Sequence, residues 1–166
     1  MEANHQNLLE LVDLPRVECL NAHPGFPIEN ALVQKNDEVF YVRSDEGSDS
    51  QLLLTFPFRQ AVKLHHLGFR AMLDPSAPLV IKLYQNLPAL NFSDIDSLAP
   101  VQEIRITDSD LVSGKLALRF VKFQRVTSLS LFVQENRGGD FTRINGIEFY
   151  GQAVQGMNMS EFKKAG

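Results

Sequence analysis

Between Leu118 and Gly151 the chain reads LRFVKFQRVTSLSLFVQENRGGDFTRINGIEFYG, and its alternation leaves little choice of architecture. Leu129, Leu131 and Val133 fall on one parity, Ser128, Ser130 and Gln134 on the other. That is the period of two a half-buried strand requires. Asn136-Arg137-Gly138-Gly139-Asp140 interrupts it with turn chemistry, after which Ile147 and Phe149 share a face up to Gly151. The stretch is expected to form three strands, with Phe120, Leu131 and Phe149 in the core. It holds no catalytic motif, so it reads as a scaffold.

The rest of the chain follows the same pattern. Asn7 to Asp13 has the spacing of a short amphipathic helix ended by Pro15, and the Pro- and Gly-rich segment Arg16 to Pro27 reads as irregular. Ile28 to Val33 reads as one helical turn and Val39 to Arg43 as a strand. Gln51 to Phe58 alternates, with Pro57 expected at a strand end or edge. Ala61 to Ala71 alternates too, but its phase changes at His65-His66, as a β-bulge would cause. Leu79 to Leu83 and Val101 to Thr107 are strand-like. Asn86 to Pro100 is a connection with a short helix capped by Ser93, and Asp108 to Lys115 reads as a polar turn. Roughly eight strands with little helix predict an all-β fold: an antiparallel β-sandwich or jelly roll with short peripheral helices. One domain over residues 1–166 is expected, with its core between about residues 8 and 164 and flexible termini.

Composition narrows the function classes. A net charge of -4 gives no basic footprint for nucleic acid, and no apolar run is long enough to span a bilayer. The N-terminus lacks the basic and apolar regions of a secretory signal. One cysteine, Cys19, allows no internal disulfide and fits a reducing compartment. The expectation is a cytoplasmic, and also nuclear, monomer.

Several segments, in order along the chain, resemble one family. They are Glu18-Cys19-Leu20-Asn21, Leu52-Leu53-Leu54, Tyr84 to Pro88, Leu118 to Gln124, Leu131-Phe132-Val133-Gln134, Thr142-Arg143-Ile144, Phe149-Tyr150-Gly151 and Met157 to Lys163. Together they resemble the PITH domain, the proteasome-interacting domain of thioredoxin-like proteins. The resemblance implies a jelly roll similar to galactose-binding-like domains and association with the proteasome regulatory particle. These residues contain neither the thioredoxin domain that precedes PITH in the best-known relatives nor its Cys-x-x-Cys pair. The reading is therefore of a free-standing form, and thioredoxin activity does not carry over.

The chemistry-bearing residues are sparse. Cys19 and His23 are four apart, but Pro24-Gly25 breaks any helix through them, so Cys19 reads as a small thiol packing a loop. His65 and His66 would face opposite sides of a strand, and would not chelate one metal unless the bulge realigns them. Asp108 and Asp110 read as turn and capping residues. No catalytic residue, metal site or cofactor is expected. The candidate contacts lie in two loops: Asp45, Glu46 and Asp49 in the acidic Ser44–Ser50 segment, and Asn136, Arg137, Asp140 and Arg143 before the last strand. The function expected is a non-enzymatic protein-interaction module; the alternative is a small-ligand or carbohydrate-binding sandwich using the same end.

Overall fold

The computed structural model describes residues 5–32, 39–45, 50–87 and 89–154. Ten strands form there: β1 (Gln6–Asn7), β2 (Glu18–Leu20), β3 (Val42–Arg43), β4 (Leu52–Arg70), β5 (Pro78–Gln85), β6 (Gln102–Arg105), β7 (Lys115–Ala117), β8 (Val126–Asn136), β9 (Arg143–Ile144) and β10 (Gly146–Ala153). Three short helices accompany them: α1 (Glu29–Leu32), α2 (Phe92–Ile95) and α3 (Asp108–Ser113). All strand pairings are antiparallel.

β4 is the spine. A strand has two edges, yet β4 has four partners, two along each half. Leu52 to Pro57 pairs with β8, and β2 adds on the other edge at Leu53 to Thr55. Val62 to Arg70 pairs with β10, and β7 adds at His66 to Gly68. Between the halves the register against β8 jumps from Pro57 to Val62, leaving Phe58 to Ala61 as a corner. Strands that switch sheets at such irregularities make the corners of β-sandwiches. One layer is thus β2-β4-β8-β5-β6 and the other β7-β4-β10-β1, with β3-β9 a separate small ladder. Pro57, opposite Ser128, is the last residue of this half to pair with β8 before the corner.

The layers close on a common core. Leu52, Leu54 and Phe56 of the first half of β4 join Val62, Leu64, Leu67 and Phe69 of the second, with Ile81, Leu83, Leu129, Leu131, Val133, Ile147 and Phe149. Phe149 meets Phe56 and Phe58 edge-on, with ring centroids 4.9 and 5.5 Å apart. The opposite face of the first layer is covered too: Leu53, Tyr84 and Phe132 pack with Leu90 and Ile95 of the Asn86–Pro100 connection. Ser128 and Ser130, expected on a wet face, are therefore buried, and the Ser130 hydroxyl pairs with that of Thr55 at 3.1 Å.

Local departures have local causes. Residues 118–125 hold no strand; Phe120–Lys122 is a 3-10 turn, and Phe120, expected in the core, is 38% exposed while Phe123 is fully buried. The expected N-terminal helix is two 3-10 turns, Leu9–Leu11 and Leu14–Arg16, and Pro15 opens the second instead of ending the first. Glu18–Leu20 is a strand within the segment read as irregular. α2 is capped by Asn91, not Ser93, with Asp94 returning the bond. Asp108–Ser113 is a helix and not a turn: Thr107 and Asp110 form a reciprocal cap, and Gly114 ends it at φ +71°.

Candidate functional site

At one end of the sandwich the small β3-β9 ladder gathers the loops that the two candidate segments belong to. Ser44 N–H donates to Thr142 O (2.9 Å), Thr142 N–H donates to Ser44 Oγ (2.8 Å), and Thr142 Oγ1 donates to Ser50 O (2.6 Å). His23 N–H donates to Arg43 O, and Asp45 N–H to Asn21 O, bringing in the Asn21–Pro27 loop. Asn21 holds φ +75°, a conformation Asn tolerates better than most residues. The Asp45 and Arg143 segments, separated by about a hundred residues, thus form one surface.

The surface is built from arginines and rings. Arg43 and Arg143 are directly paired across β3-β9. Like charges in that position repel, so each needs its own compensation. The Arg43 guanidinium lies over the Phe141 ring at 3.9 Å and near Phe26 at 5.4 Å. Phe26 stacks on Tyr41 with centroids 4.8 Å apart, and His23 meets Phe26 edge-on at 5.4 Å. Arg143 lies over Tyr41 at 5.0 Å and donates to Asp74 Oδ2 at 2.8 Å. Burial opposes ionisation of Asp74, but two hydrogen bonds from Ser76 and the Arg143 guanidinium together hold its carboxyl below the ordinary value. Phe26, Tyr41, Phe141 and Arg143 are half-buried and so reachable from solvent, whereas Arg43 is buried.

The residues expected to make contacts divide by role. Asn136 turns inward: its Nδ2 donates to Gly139 O and Phe141 O (3.0 Å each), and its Oδ1 accepts from Gly138 N–H (2.9 Å). Arg137 is a strut, donating to Asp108 Oδ1 (2.5 Å) and Ile106 O (3.3 Å). Backbone bonds from Arg137, Gly139 and Arg143 to Ala77, Pro75 and Ser76 fix this loop against its neighbour. A Cβ at Gly139 would sit 2.8 Å from Pro75 O, so only glycine fits that approach. Asp140 is exposed, Asp45 half-buried. Glu46 and Asp49 lie outside the described residues. Of the five that lie among the described residues, Arg143 joins the aromatic cluster. His23, Phe26, Tyr41, Arg43, Asp74 and Phe141 were not anticipated; rings flanking Pro24, Gly25 and Pro27 were the available signal.

Chemistry elsewhere is limited. Burial first, and then the Glu29 charge, push the Cys19 thiol up to about 12, which leaves it protonated and unreactive at neutral pH. Among the described residues one group has metal-ligand spacing: His5, His65 and His66. No helix among them is long and apolar enough to cross a membrane.

A family model described as the PITH domain matches residues 1–166. The chain is 33% identical over 159 residues to thioredoxin-like protein 1 of Schizosaccharomyces pombe, covering 92% of this chain and 53% of that one. It spans only about half the length of that relative. It is 32% identical over 152 residues to a PITH domain-containing protein of Drosophila melanogaster (90% and 71% covered) and 28% over 144 to human PITH domain-containing protein 1 (85% and 67%). Among solved structures, the family 32 carbohydrate-binding module of Clostridium perfringens NanJ, in complex with galactose, is similar at TM-score 0.64 with 8% identity. That likeness covers 89% of this chain and 99% of the module. The tandem modules of Clostridium perfringens ZmpB are similar at 0.64 with 11% identity, covering 95% and 38%. At these identities the likeness speaks for the β-sandwich fold alone.

Proposed function

The chain belongs to the PITH domain family, and on that premise we propose that it is a non-enzymatic docking module for the proteasome regulatory particle, acting in the cytoplasm and nucleus. The observation that carries the docking role is the Arg43–Arg143 pair set among Phe26, Tyr41 and Phe141. Aromatic and arginine side chains fixed in place and ringed by polar loops are the usual anchors of protein interfaces. Arg143, half-buried over Tyr41, is the member of the pair within reach of a partner's carboxylate or carbonyl, while Arg43 is buried beneath the Phe141 ring. The choice of proteasome rests on the family resemblance.

Affinity purification of tagged protein at low salt, followed by cross-linking mass spectrometry, tests this reading. Regulatory-particle subunits should co-purify, with cross-links on the Asn21–Pro27 or Asn136–Arg143 loops. Recovery without proteasome subunits, or cross-links confined to the opposite end, contradicts it. A glycan array covers the carbohydrate alternative: the Phe26–Tyr41 rings stack on each other, which leaves them poorly disposed as a sugar platform, and no saturable glycan is expected.

A further inference from the structure

We propose that His5, His65 and His66 form a binding site for a divalent transition-metal ion of the zinc class. The site depends on the bulge in β4. Tyr150 pairs with His66 and the next residue, Gly151, pairs with Leu64, so His65 is an extra residue on β4. On a regular strand adjacent side chains point to opposite faces. The bulge instead brings the Nδ1 atoms of His65 and His66 to 3.0 Å. His5 arrives by a separate route. It precedes β1, which pairs with β10 across the same step, Gln6 with Gly151 and Asn7 with Tyr150. Its ring stacks on His65 at 3.8 Å.

One ring nitrogen from each histidine lies within 4.8 Å of the other two. Tetrahedral zinc at about 2.0–2.1 Å from each nitrogen requires nitrogens about 3.3 Å apart. The His65 and His66 Nδ1 atoms share a hydrogen bond at 3.0 Å that the ion would replace, and the His5 ring would turn off its stack on His65 to present the third nitrogen. All three residues are half-buried, so an ion can enter and water can take the fourth position. Three imidazoles select zinc-class ions over calcium or magnesium, which take oxygen ligands. Tyr150 stacks on His66 at 4.7 Å and donates to Glu148 Oε1 at 3.1 Å, which fixes the His66 ring from outside the site. Burial, with the Lys115 ammonium and the other histidines, holds His66 down at about 4 and His65 below its ordinary value. Bound, the ion would tie the N-terminal edge strand to the spine of the sandwich.

Titration of the chain with Zn2+ by calorimetry, and with Co2+ by visible absorption, tests the site. One saturable site and tetrahedral Co2+ bands are expected. His5→Gln and His66→Gln should each weaken binding by at least about tenfold, while Cys19→Ser and His23→Gln leave it unchanged. His5 precedes a two-residue edge strand, so His5→Gln keeps the core intact even if His66→Gln folds poorly. No saturable binding at millimolar Zn2+, or unaltered binding by His5→Gln, overturns the proposal.

Discussion

Arg43 and Arg143 show how much of this molecule is decided by single side chains. Each guanidinium is held by a ring, and Arg143 also by Asp74. None of these partners adjoins its arginine in the sequence, so the cluster was not readable from local pattern. The loop positions were readable, because Gly138-Gly139 and Pro24-Gly25 announce turns. The roles within them were not: Asn136 and Arg137 look like exposed contacts in sequence but spend their hydrogen bonds inside the fold. Phe120 and Phe149 make the same point for the core. Phe149→Ala should cost about 3–5 kcal/mol in chemical denaturation, because the ring meets Phe56 and Phe58. Phe120→Ala should fall within about 0.5 kcal/mol, because that ring lies on a half-open 3-10 turn. Cys19 sets a pH dependence. Its thiol rises on folding from 9.0 to about 12, so its contribution is complete below pH 9.0 and is lost as pH rises toward 12. Alkaline denaturation of Cys19→Ser should lack that component, and thiol reagents at pH 8 should label the native protein only after unfolding.

The elements follow from turn and bulge chemistry more than from propensity. The bulge at His65-His66 was legible because hydrophobic parity changes there, and it is needed to place both histidines together. Gly151 stands opposite the bulge, where a Cβ would run into the Lys63 carbonyl oxygen. Gly151→Ala should therefore destabilise by about 1–3 kcal/mol in a thermal melt and weaken Zn2+ binding together with it. The corner at Phe58 to Ala61 was not legible as a continuous strand, because Pro57 and the polar Arg59-Gln60 read as a break. β2 was hidden by its Pro- and Gly-rich surroundings, and its pairing is entirely with the distant β4. α3 was missed for its shortness, although Thr107 and Asp110 carry a capping box. Thr107→Ala should cost about 1 kcal/mol, measurable by denaturant titration.

For the whole molecule, alternation and turn spacing were enough to predict an all-β sandwich, because every strand must bury one face against a second layer. The second small core under the Asn86–Pro100 connection escaped that logic, since serines at 128 and 130 read as wet yet are covered. The proposed docking surface is a property of this scale: four loops from across the chain meet only once the spine strand has folded the two layers together. On the function proposed above, this end of the sandwich binds the proteasome. Equilibrium binding to purified regulatory particle, comparing the unsubstituted chain with Phe26→Ala and Arg143→Ala, tests it most directly. Saturable binding is expected, weakened about 30-fold or more by each variant, the scale of an interface anchor, with melting cooperativity retained. Absence of binding, or folded variants that bind as tightly as the unsubstituted chain, would contradict it.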